Sequence, residues 1–127
     1  MAVFSEHIGI NVEAKEDLDS HIYFAVSCQD GKIANNGAEA SGILMTKPKN
    51  GESGNLGCVG ELPFQAGGAV SAGAKITVTT SGYCTAAGSG DHIVGKNGQA
   101  SVTSGSIGRG LFNFNNPVYA FSSSHVA

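Results

Sequence analysis

Apolar positions in this chain recur with a period of two, in runs too short for helices. Ile8, Ile10 and Val12 alternate with Gly9 and Asn11, and Ile22, Phe24 and Val26 alternate with Tyr23, Ala25 and Ser27. Successive side chains of a strand point to opposite faces, so alternation of this kind predicts half-buried strands. The pattern predicts strands over residues 21–28, 33–34, 42–46, 55–59, 61–65, 76–80, 83–86, 92–94, 100–102, 111–114 and 118–121. Turn signals separate them. Asp30-Gly31 closes a hairpin, and Pro63, which cannot donate to a ladder, marks an edge or a bulge. Residues 69–72 are expected to make one helical turn. Short strands with turn signals about every eight to twelve residues predict an all-β fold, a compact sandwich or small barrel with at most one or two helical turns.

Residues 1–12 read as an extended N-terminal arm, residues 13–121 as a single β domain and residues 122–127 as a frayed tail. The alternating Ile8, Ile10 and Val12, with Phe4 before them, suit the arm to adding a strand to an exposed sheet edge. Phe112 and Phe114, alternating with Asn113 and Asn115, are expected to be a core-facing strand side.

Composition narrows the class. At 127 residues the chain is one domain, long enough to bury a core without disulfides or metal. Its 19 glycines and its many β-branched residues disfavour helix and suit pleated surfaces. The net charge is −3, and the cations Lys15, Lys32, Lys47, Lys49, Lys75, Lys96 and Arg109 are scattered, so no basic stripe for nucleic acid is visible. No basic leader followed by an apolar core opens the chain, and no apolar run approaches the roughly 20 residues that span a bilayer. Cys28, Cys58 and Cys84 form no C-x-x-C pair and are expected to be buried thiols acting as small hydrophobes.

One stretch carries more than class. A strand, Gly42-Ile43-Leu44-Met45-Thr46, runs into the turn Lys47-Pro48-Lys49-Asn50-Gly51-Glu52. After a further strand comes the small-residue corner Ala66-Gly67-Gly68-Ala69-Val70-Ser71-Ala72-Gly73, which returns into Ile76-Thr77-Val78-Thr79-Thr80. This order of elements resembles the capsid cement, or head-decoration, proteins of tailed bacteriophages. The resemblance covers roughly residues 4–87, and Ile107-Gly108-Arg109-Gly110-Leu111 looks like that family's last turn. It implies a homotrimer on the outer surface of a mature head, made in the host cytoplasm and carried on the virion. It also implies the major capsid protein as partner, with no catalytic residue, metal or cofactor and no membrane or nucleic-acid partner. The family-motif turns are then Lys47, Pro48, Gly51, Glu52, Gly67, Gly68 and Gly73, and the capsid-binding arm is Phe4, Ile8, Ile10 and Val12.

Some members of that family carry a recombinase label, which the residues here do not support. Gly90-Asp91-His92-Ile93-Val94-Gly95-Lys96-Asn97 meets seven positions of a phosphate loop, but Asn97 replaces the hydroxyl that would hold Mg²⁺. His7, His21, His92 and His125 form no chelating pair, no G-x-S-x-G elbow occurs, and Glu13, Glu16, Asp17 and Asp19 lack Ca²⁺-loop spacing and read as a solvated acidic turn. The resemblance therefore implies a structural protein whose work is binding energy placed across capsid seams. The rival class is a β-rich module recognising glycans through Asn113, Asn115, Asn116 and Tyr119, although no tryptophan is present for stacking.

Overall fold

The computed structural model describes residues 7–98, 100–114, 118 and 119, with side chains from Gly9 to Phe114 except Gln99. Eleven strands account for most of its regular structure: β1 (His7–Glu13), β2 (Ala25–Ser27), β3 (Lys32–Ile33), β4 (Gly42–Leu44), β5 (Ser53–Gln65), β6 (Lys75–Val78), β7 (Cys84–Ala86), β8 (His92–Ile93), β9 (Gly95–Asn97), β10 (Ile107–Asn113) and β11 (Val118–Tyr119). Nine of them form one curled antiparallel sheet in the order β3-β2-β4-β5-β10-β9-β6-β7, with β1 paired to β5; β11 and β8 make a separate ribbon. The all-β expectation is met.

The long strand β5 organises everything else. β1 and β4 both pair with its residues Leu56 and Gly57 and so flank it on opposite edges, while β10 takes over from Val59 onward. A bulge interrupts this strand: Ile8 faces Val59 and Gly9 faces Gly57, leaving Cys58 as an extra residue. A bulge of this kind puts two neighbouring side chains on one side and reverses the alternation beyond it. Leu56 and Cys58 accordingly belong to a small core cluster with Val12, Ala14, Leu18 and Leu44. Leu62 and Phe64 join the main cluster with Ile43, Ile76, Val78 and Phe112. Gly60, at φ 126°, sits between His7 and Phe112 where the two ladders overlap, a backbone conformation open to glycine.

Several local expectations are corrected. Only Ala25–Ser27 of the run 21–28 is strand, because Tyr23 adopts φ 73° and breaks the extension. Residues 69–72 make no helical turn; Val70 bridges Val102, and a 3-10 turn falls instead at Thr80–Gly82. The two strands foreseen over 55–59 and 61–65 are one. Pro63 does mark an edge: Gln65, of the same parity, donates its N–H to Tyr23 O, away from β10, so the donor missing at Pro63 faces the side that no ladder occupies. Asp30-Gly31 closes the β2–β3 hairpin, with Gly31 at φ 68°.

Ile107-Gly108-Arg109-Gly110-Leu111 is strand rather than turn. Its glycines face inward, where a Cβ on Gly108 would lie 2.7 Å from the Phe64 ring and one on Gly110 would lie 2.8 Å from the Phe112 ring. The aromatic rings fill the space these glycines leave, and Phe112 and Phe114 stack at 5.5 Å, both buried as core. The bulky residues of this segment therefore point outward.

Candidate functional site

Of the four arm residues, Phe4 lies outside the described residues and Ile8 contributes only its backbone, opposite Val59. Val12 is 6% exposed within the small core cluster, and Ile10 is 40% exposed. The described part of the expected arm is thus a strand of the chain's own sheet, not a free segment. An edge of β5 within the same molecule is met without the loss of translational freedom that pairing with another molecule costs. The start of the chain before His7 and the tail 122–127 lie outside the described residues.

The Lys-Pro turn is an anchor. Pro48 O accepts the N–H of Leu18 at 2.9 Å, Gly51 donates to Ala14 O at 2.7 Å, and Ala14 donates back to Glu52 O at 2.9 Å. Glu52 closes the turn by accepting the Lys49 N–H through its carboxylate at 2.8 Å, and Gly51 takes φ 89°. Lys47 is exposed beside it. The acidic segment is tied down as well: Glu16 Oε2 accepts the N–H of Ile33 at 3.0 Å, and Asp17 Oδ1 accepts that of Asn50 at 2.9 Å. Residues 14–18 are thereby strapped across the small cluster, with Leu18 fully buried beneath them.

At the small-residue corner, Gly67 lies under Tyr83, where a Cβ would come within 2.5 Å of the tyrosine Cβ; Gly68 has more room, 3.6 Å from Thr85. Gly73, at φ 78°, donates to Asn97 O at 2.9 Å. The buried Asn97 side chain donates to Val70 O, Ser71 O and Ala100 O at 3.1–3.2 Å. The eighth position of the phosphate-loop pattern is therefore a structural clamp, and the pattern itself forms β8 and β9, with no helix after it among the described residues. Asn97 carries no spacing signal of its own; its role exists only once the corner and β9 meet.

Cys58 and Cys84 are buried as expected, whereas Cys28 is exposed. Burial pushes the Cys84 thiol up to about 12, and burial, followed by proximity to Cys28, also raises Cys58. Neither buried thiol has the lowered pKa that makes a reactive nucleophile. An open cleft is lined by Glu16, Asp17, His21, Lys32, Asn35 and Ser81, and both of its carboxylates already accept backbone N–H groups. Among the described residues no three His, Cys, Asp or Glu side chains converge as a metal site. Of the residues suited to glycans, Asn113 is exposed on β10, Tyr119 contributes a described backbone opposite His92, and Asn115 and Asn116 lie outside the described residues.

Among the described residues the most exposed large apolar side chains lie on the outward side of β10: Leu111 at 52% and Ile107 at 47%. Arg109 stands between them and reaches Glu61 of β5 at 3.6 Å. Leu111 is paired with Lys96 of β9, and Lys96 with Lys75 of β6, so all three share that side of the sheet. These side chains lie on the open surface of the sheet, outside the cleft described above.

No family model matches the sequence, and no curated protein matches it. The fold is similar to that of the head fiber gp8.5 N base of bacteriophage phi29, known from a crystal structure. The TM-score is 0.67 at 11% sequence identity, covering 86% of this chain and 96% of that one. At so low an identity the likeness is one of fold.

Proposed function

We propose that this chain is a non-enzymatic structural component of a bacteriophage head, a decoration protein that seats on the outer capsid surface as a homotrimer and braces neighbouring major capsid subunits. The observation that carries the reading is the fold held in common with a phage head-fiber base over nearly all of that chain. The order of the Lys-Pro turn and the glycine corner points the same way independently.

The physics suits such a role. Clamping needs a stiff body, and the antiparallel ladders here tie β5 to three other strands along its length. One docking contact per subunit is marginal, because association costs about 4–15 kcal/mol in lost translational and rotational freedom. Burying one large apolar side chain returns only about 1.5–3 kcal/mol. Three linked copies change the balance, since avidity exceeds single-site affinity by roughly 10²–10⁴. Co-sedimentation of the purified protein with phage heads lacking it, followed by imaging, should show added density on the outer surface at threefold positions. Absence of the chain from purified virions, together with no binding to heads, would overturn the proposal.

A further inference from the structure

We propose that the outward face of β10, β9 and β6 is a self-docking surface that receives the acidic segment 13–19 of a second copy; the inference rests on the trimeric reading above. Two observations define the face. Leu111 and Ile107 expose about half of their surface to water. Beside them Lys96 and Lys75 stand directly opposite each other on neighbouring strands. Like charges in that position repel. Among the described residues no carboxylate is ion-paired with Lys75 or Lys96, whereas Lys15 pairs with Glu13 and Arg109 with Glu61. An anionic partner relieves the repulsion, and the adjoining leucine and isoleucine call for a polypeptide rather than a small anion.

The chain itself carries the complement. Glu13, Glu16, Asp17 and Asp19 fall within seven residues that hold Lys15 as their one cation. Glu13, Asp17 and Asp19 are exposed while Leu18 anchors the segment inward. This segment is strapped at the Ser53 end of β5, whereas Leu111 pairs with Glu61, eight residues or about 26 Å further along an extended strand. Its backbone bonds to residues 31–52 hold it there, so it reaches a basic face only on another molecule. Contact between two different patches is heterologous and generates a ring when the rotation closes.

The test uses the full chain in analytical ultracentrifugation at low and high ionic strength, with circular dichroism as the check on folding. The wild-type protein should associate, and more weakly as salt rises. The double variants Lys75→Glu/Lys96→Glu and Glu13→Lys/Asp19→Lys should each weaken association by about tenfold or more, and the chain carrying all four changes should recover it. Leu111→Ser should weaken association without recovery by charge reversal. Doubles that associate like wild type overturn the proposal, as does failure of the combined variant to recover. A wild-type protein that stays monomeric yet co-sediments with heads overturns this inference and leaves head decoration standing without a trimer preformed in solution. One that assembles through these charges but ignores heads does the reverse.

Discussion

Leu18 and Leu111 mark the two ends of one sheet surface and meet opposite fates. At the Ser53 end of β5, Leu56 and Leu44 are covered by the strap 14–18, and Leu18 is completely buried. At the other end the same side of the sheet carries Leu111 and Ile107, half exposed, with lysines beside them. The sheet offers both ends the same kind of surface. What differs is whether the chain returns with a segment whose backbone groups find partners: the Lys-Pro turn supplies the carbonyl of Pro48 and the N–H of Gly51 at the covered end.

Removing residues 1–12 is expected to have the largest effect. That deletion takes the β1 ladder and Val12 from the covered end, so the denaturant midpoint should fall further than for any point variant below. A truncated protein as stable as the full chain would show that β1 adds nothing to the fold. Next comes Leu18→Ala, expected to cost about 2–5 kcal/mol in urea unfolding. Gly108→Ala places a methyl against the Phe64 ring under the bare end and should cost about 1–3 kcal/mol by overpacking, without changing the outward face.

The thiols give a pH test of burial. The unfolded Cys84 thiol ionises near 9.0, whereas in the fold its pKa is pushed up to about 12. Above the unfolded value the unfolded chain has released a proton that the folded chain keeps, so stability falls as pH rises towards the folded value, by up to about 1.4 kcal/mol per pH unit. Urea midpoints from about pH 8 to about pH 11 should show this decline. The decline should be reduced in Cys84→Ala; an equal slope in that variant would assign it elsewhere. Maleimide should label Cys28 in the native protein well before Cys58 or Cys84. Leu111→Ala should have the smallest effect, shifting stability by no more than about 0.5 kcal/mol. The same substitution at Leu18 and at Leu111 thus reads the two ends directly.

Local chemistry made part of this legible. Asp30-Gly31 signals its hairpin because few dipeptides adopt the required backbone, and Phe112 and Phe114 declare a buried side because they alternate with asparagines. Other features were hidden for a physical reason. Ile8, Ile10 and Val12 read as an arm awaiting a partner, and the partner was β5 of the same chain. Ile107 to Leu111 read as a turn through the family resemblance, and its glycines instead admit rings from two strands. Asn97 read as a failed metal-binding position, and its carboxamide instead clamps carbonyls 26 and 27 residues away.

By itself the sequence determined that the chain is built of short strands, where many of its turns fall and that its charge is sparse, because alternation and turn preference act over a few neighbouring residues. Only the tertiary structure decided which side of each strand is covered. That choice rests on the bulge at Cys58 and on hydrogen bonds between segments far apart in sequence, and period-two patterning does not encode which distant segment will arrive to cover a face.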